Sequence, residues 1–298
     1  MMTDFDAIIA EYKAKSGAEK KRISQNFIFG MVCAVILTIL FGFLYNTAQI
    51  YYILFWISLC IIGVLALVFL VIGTKFSSDK VLFNYLYPKV VADVSGELGR
   101  EIEYESFVDD YSFIERVGMM DTKSKTFSMK CKLSYTAKTG TGDGVRVEIY
   151  DMGIIERSID NSARMYFDGL YIVYNMPNDR VFQLATKEAE TKWEEIVEGR
   201  LESSLPEVNT REGVYEHTDS VDAGIDKQFY DLYDYLSENI PEPPYHIGGV
   251  PGEVHVAVSG QRTVRNIPMD DITPERVMDV GEKLNQQIEI ADDILAHL

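Results

Sequence analysis

No aspartate, glutamate, lysine or arginine occurs between Phe27 and Ile72, a 46-residue window in a chain that is one-quarter charged as a whole. Cysteine is scarce. Cys33 and Cys60 fall inside the apolar window and Cys131 stands alone, so no disulfide framework is indicated. None has the neighbours expected of a nucleophile or metal ligand, and all three read as small apolar residues. Basic residues are also few, 28 against 46 acidic ones. Five basic residues against four acidic ones precede the window, leaving a net charge of −19 for residues 73–298. Such a domain repels phosphate backbones and anionic headgroups, which disfavours nucleic-acid binding. Its acidity serves solubility or offers a docking face to a basic partner.

The charge-free window holds two apolar runs, residues 27–45 and 50–72. At 1.5 Å per residue they make helices of about 28 and 34 Å, enough for a hydrocarbon core of about 30 Å. Lys20, Lys21 and Arg22 resemble the leader of a signal peptide, but the run exceeds an h-region and no small-residue cleavage site follows. The four-residue link 46–49 can only reverse the chain, predicting a transmembrane hairpin. That link has no basic residue, whereas Lys20, Lys21, Arg22, Lys75 and Lys80 flank the other ends. The positive-inside rule therefore predicts a multi-pass protein of the cell membrane with both termini cytoplasmic. Gly30, Ala34, Thr38 and Gly42 recur every fourth residue, a row of small side chains suited to packing on the second helix or to self-association. No ionisable residue or filter-like loop lies within the hairpin, as a channel would require.

Before the membrane, Phe5, Ile8, Ile9 and Tyr12 predict a short amphipathic helix within residues 1–26, resting on lipid or on the soluble domain. After it, residues 80–99 read as a helix with a kink at Pro88. Alternating patterns predict strands over 126–137 and 145–156, joined by TGTGDG as a hairpin loop. A third strand is expected over 163–176, bent at Gly169, and VFQLA continues the sheet. Helices are expected over 186–201 and 226–239. Residues 240–252 read as a Pro/Gly-rich connection, and EVHVAVSG as a buried strand. Thr273–Pro274 opens a terminal helix whose apolar stripe runs through Val277, Val280, Leu284, Ile288, Ala291, Leu295 and Leu298. That stripe suits core packing or a coiled coil with another copy. The predicted class is α+β: a two-helix transmembrane hairpin, then a mixed, mainly antiparallel sheet with flanking helices over 73–298.

A catalytic constellation does not emerge. TGTGDG lacks the Lys-Ser/Thr ending of a phosphate loop and precedes a strand. His217, His246, His255 and His297 form no ligand pair at helical spacing, and His255 reads as a structural histidine. The acidic pairs Asp109–Asp110, Asp270–Asp271 and Asp292–Asp293 have no associated base. No metal, cofactor or catalytic residue is predicted.

Several segments resemble a bacterial family of two-helix membrane proteins described as domain of unknown function 3137. They are the paired apolar helices, FNYLYPKVV, MYFDGLYIVYN, GVYEHTDSVDAGIDKQFYDLYDYL and VHVAVSGQR, together spanning most of residues 80–265. The resemblance implies a bacterial membrane-anchored α+β domain and supplies no catalytic residues. The resulting expectation is a non-enzymatic, membrane-tethered interaction or sensory module. It would engage the bilayer and a protein partner, or associate with itself. The rivals are a tethered enzyme with a cation-binding acidic site and an oligomeric pore.

Overall fold

A computed structural model describes residues 5–44, 49–72, 82–117, 125–138, 144–157, 163–186, 208, 214–219, 224–240, 245–260 and 272–298. The chain divides into two compact units, Met1–Lys89 with Asn266–Val277, and Val90–Arg265 with Met278–Leu298.

In the first unit, helix α1 runs unbroken over Phe5–Leu44 and helix α2 over Gln49–Ile72. The short separate helix expected within residues 1–26 is therefore the first half of one 40-residue helix. Nothing in residues 5–26 breaks it, since Gly17 is its sole glycine and proline is absent. Its amphipathic start is covered by protein, with Ile8, Ile9 and Tyr12 buried. A π turn over Leu82–Leu86 then leads into α3, Tyr87–Leu98. Pro88, where a kink was expected, is the second residue of α3 and directly follows this turn. Proline has no N–H and its ring crowds the carbonyl four residues back, and a widened turn just before it relieves both demands.

The second unit is built on one eight-stranded sheet with order β1-β2-β3-β4-β8-β7-β5-β6. The strands are β1 Ile102–Val108, β2 Lys125–Lys138, β3 Gly144–Arg157, β4 Ala163–Asn175, β5 Phe182–Thr186, β6 Val214–Thr218, β7 Tyr245–Val250 and β8 Glu253–Ser259. Every described pairing is antiparallel, so the parallel component allowed by the mixed-sheet expectation is not found there. Helix α4, Ser112–Val117, lies against one face, where Phe113 stacks on Tyr150 with ring centroids 4.3 Å apart. Helices α5, Lys227–Asn239, and α6, Pro274–Ala296, lie against the other. Phe229 of α5 meets Phe182 at 4.2 Å between ring centroids, and Tyr174 donates to the Ala291 carbonyl of α6 at 2.8 Å. The alternating pattern of β2 and β3 sends Leu133, Tyr135, Val147 and Ile149 into this second interface.

The α6 stripe is buried in its own chain at Val280, Leu284, Ile288 and Ala291, and Ile294 takes the buried place expected for Leu295. A coiled coil through this stripe would have to expose that core. In β4 the irregularity lies at Tyr166, where the pairing with β3 shifts register, rather than at Gly169. Gly169 instead permits close backbone approach, because a Cβ there would stand 2.1 Å from the Val258 carbonyl oxygen. The supposed connection 240–252 contains β7, wholly buried between β5 and β8. Gly249 answers a packing need, since a Cβ there would fall 2.2 Å from the Phe182 ring. Strands β1 and β6 and helix α4 are elements that the sequence pattern did not reveal. The expected helix over 186–201 and the core of the TGTGDG loop lie outside the described residues.

Candidate membrane segment and buried polar networks

An 18-residue window within Asp6–Leu44 is long and apolar enough to cross a membrane, and only 6% of it is buried. A core helix of a soluble protein with this composition would be covered on its apolar face. Here the opposite holds: Phe29 is 73% and Phe43 85% exposed, with Ile28, Val32, Ile36, Ile39 and Leu40 about half exposed around the helix. By length and composition α1 is thus a membrane-span candidate. The 24-residue α2 is apolar over its whole length, and its Ile53, Trp56, Ile57, Ile61 and Val64 are also exposed.

The row of small residues is used unevenly. Thr38 donates to Ser58 Oγ of α2 at 2.9 Å, and its hydroxyl also lies 2.8 Å from the Ala34 carbonyl. Ala34 is buried, and a Cβ at Gly42 would make ordinary contact with the Phe55 ring at 3.6 Å. Among the described residues, a Cβ at Gly30 would meet nothing within 4 Å. Thr38 and Gly42 therefore face α2. Cys33 and Cys60 are exposed on these helices, and Cys131 is buried in β2.

At the opposite end of α1, Glu11 forms an ion pair with Lys89 at 3.0 Å and another with Lys15 at 3.3 Å. The Tyr85 ring lies beneath both lysines, 3.6 Å from Lys15 Nζ and 4.3 Å from Lys89 Nζ. The Tyr85 hydroxyl, then Lys89 and Lys15, hold the exposed Glu11 carboxyl down at about 2.

In the sheet, strand register gathers three histidines on one face. His255, Gly248, Gln183 and His217 form one cross-strand row, and His246 sits in the next row between Ala257 and Ala185. All three imidazoles are buried. Gln183 donates to the Val117 carbonyl at 2.7 Å, tying this row to α4. His255 lies 3.0 Å from the Tyr171 hydroxyl through Nδ1 and 3.1 Å from Glu253 through Nε2. Glu253 in turn pairs with Arg116 at 3.3 Å. Because a carboxylate accepts only, Nε2 carries the proton and Nδ1 accepts from Tyr171, so the neutral ring is fully satisfied. Burial lowers the His255 pKa to about 4 despite Glu253. Its structural role agrees with the sequence reading.

The acidic pairs have separate duties. Asp110 accepts from the Ser112 N–H at 3.0 Å at the start of α4. Asp292 accepts from Tyr135 at 2.9 Å and pairs with Arg100 at 2.7 Å, whereas its neighbour Asp293 uses its carbonyl to meet His297 Nδ1. Asp270–Asp271 lie outside the described residues. Three carboxylates of the sheet surface are matched by cations: Glu105 and Glu148 by Lys132, and Glu103 and Glu148 by Arg146. Among the described residues no group of three His, Cys, Asp or Glu is placed to hold a metal ion. The Tyr171–His255–Glu253 and Tyr135–Asp292–Arg100 networks escaped sequence reasoning because their members lie far apart in the chain, Tyr171 and His255 by 84 residues and Tyr135 and Asp292 by 157. No local spacing signals such partners.

Comparison with protein-family models, curated proteins and solved structures finds no match to this chain.

Proposed function

We propose that the chain is a membrane-anchored protein whose residues 27–72 cross the bilayer twice as a hairpin and hold a non-enzymatic interaction or sensory module in the cytoplasm. The observation that carries this reading is the apolar surface of α1, exposed around the helix over a stretch without a formal charge. Transfer of such a surface into hydrocarbon is favourable by about 25 cal/mol per Å², and the helical backbone satisfies its own polar groups there. Supporting a second span, α2 has 24 residues, for a length of about 36 Å. The Thr38–Ser58 hydrogen bond is the kind of interhelical contact that a hairpin in lipid uses. Lys20, Lys21, Arg22, Lys75 and Lys80 favour a cytoplasmic location for both ends.

The bacterial two-helix family named above remains our proposed relationship, resting on the quoted segments. A protein partner with a basic face suits the net charge of −19 over residues 73–298. The tethered-enzyme reading, with a cation on sheet carboxylates, is disfavoured by the pairing of Glu103, Glu105 and Glu148 with Lys132 and Arg146.

Topology tests the proposal. A reporter active only outside the cytoplasm, inserted at the 46–49 link, gives signal, whereas the same reporter at either terminus gives none. Signal from a terminus, or silence at the link with the fusion expressed, overturns the two-span orientation. Crosslinking in native membranes then recovers a reproducible basic partner that is lost at high salt; partner capture insensitive to salt contradicts the electrostatic part.

A further inference from the structure

Helix α1 passes from a protein-covered start into the apolar span without a break. Ile8, Ile9, Tyr12 and Ser16 are buried, so the cover reaches residue 16, and the charge-free run begins at Phe27. Between them stand Lys20, Lys21 and Arg22, with no acidic residue from Lys20 to Asn26. Glu19, the nearest one, precedes the three on the side away from the span. All three cations are exposed. Among the described residues Lys20 and Lys21 enter no ion pair, in a chain with 46 acidic residues against 28 basic ones. Their surroundings differ in this respect. Lys15, five residues earlier, is committed to Glu11, as is Lys89. On the sheet, Lys132 and Arg146 are likewise answered by carboxylates.

The unbroken helix fixes where these cations lie. At 1.5 Å per residue they stand about 8–11 Å along the axis from Phe27, and Lys13 stands about 21 Å away. The polar layer of a leaflet is about 5–8 Å deep, and the field of its charges decays over a further 8 Å or so. The three cations therefore fall within reach of the headgroups, and their flexible stems let the charge move closer still. Lys13 falls outside that zone. Successive residues turn by about 100°, so three in a row point over an arc of about 200°. A protein partner covers one face of a helix, whereas a headgroup layer surrounds it and meets cations spread around it. Orientation during insertion accounts for basic residues on this side of the span. It does not account for Lys20 and Lys21 standing unanswered in so acidic a chain.

We propose that Lys20, Lys21 and Arg22 form a collar that binds the phosphates of anionic phospholipid headgroups and so fixes the depth of α1 in the bilayer. The inference rests on the membrane reading above and adds to it the class of lipid and the residues that select it.

Full-length protein reconstituted in phosphatidylcholine vesicles tests it, with a trace of spin-labelled phosphatidylglycerol or spin-labelled phosphatidylcholine as probe. Lipid held at the protein boundary gives a motionally restricted component in the electron spin resonance spectrum, and the two probes compared give the selectivity. Phosphatidylglycerol is expected to be favoured about fivefold at low salt, the worth of one cation near an anionic surface. The preference falls away at about 1 M salt, where screening acts within about 3 Å. Lys20→Gln combined with Lys21→Gln removes most of it. Both side chains are exposed and outside any ion pair of the described residues, so the variant folds, and its unchanged restriction of phosphatidylcholine checks that it inserts. Lys13→Gln keeps the preference, because that lysine stands beyond the headgroup field. Equal restriction of both probes by the wild type overturns the collar and leaves the membrane span standing. So does a preference that survives the double substitution or high salt, or one lost equally with Lys13→Gln. No restricted component for either probe refutes the membrane reading, and the collar with it.

Discussion

The buried His255 makes acid stability a quantitative test of the sheet. In the fold, burial holds its pKa at about 4, against 6.5 for an ordinary histidine. Between those values the unfolded chain binds the proton and the folded chain does not. Stability therefore falls as the pH drops from about 6.5 to 4, and is fully present above the upper value. A difference of about 2.5 units at 1.36 kcal/mol per unit amounts to roughly 3 kcal/mol. For a domain of this size each kcal/mol moves the melting temperature by roughly 2–4 °C. His255→Gln removes the titrating group while retaining a side chain able to meet Tyr171 and Glu253, at a pH-independent cost of about 1–3 kcal/mol. Urea unfolding in detergent, followed by the aromatic signal of the sheet at pH 7.5 and pH 4.5, gives the comparison. The wild type should lose more stability than His255→Gln over that interval, by roughly 2–3 kcal/mol, while other acid-titrating groups such as Glu11 cancel in the difference. Equal pH dependence in the two proteins would refute the buried neutral imidazole.

Three further perturbations probe separate parts of the fold. Gly169→Ala puts a Cβ 2.1 Å from the Val258 carbonyl, so limited proteolysis should find β4 and β8 unprotected; a protected sheet at wild-type melting temperature would contradict the close approach. Phe229→Ala removes the buried ring that meets Phe182 and should cost about 3–5 kcal/mol, read as a lowered urea midpoint, whereas a loss under about 1 kcal/mol would place α5 off the sheet. A double-mutant cycle of Thr38→Val and Ser58→Ala in detergent should give a coupling of about 0.6 kcal/mol between the helices; additive effects would show that the hydrogen bond is not formed.

Periodicity made the elements with uniform environments legible. Strands β2, β3 and β8 alternate or run apolar because their faces are buried in simple alternation or throughout. Helix α5 shows Phe229, Leu232, Tyr233 and Leu236 as one stripe because a single surface covers it, and all four are buried, as is Ile225 just before the helix. Local pattern failed where tertiary contacts set the residue choice. The Gly248–Gly249 pair of β7 looks like a turn until Phe182 is seen filling the space beside it. In β1, Glu103 and Glu105 obscure a strand whose charges are answered by Lys132 on the adjacent β2 and Arg146 on β3 beyond it. The order of the sheet was invisible as well, since β8, a local neighbour of β7, also pairs with β4 far back in the chain, where Tyr171 and His255 are 84 residues apart. Of the candidate sites, the apolar helices could be read from composition, whereas the Tyr135–Asp292–Arg100 network joins distant positions with no shared motif.

Membrane insertion is the claim on which the functional reading depends, and flotation of the full-length chain measures it directly. In a density gradient of carbonate-washed membranes the account places the protein with the lipid at the top, as two apolar helices require. Recovery of folded, full-length protein in the unfloated soluble fraction would contradict it.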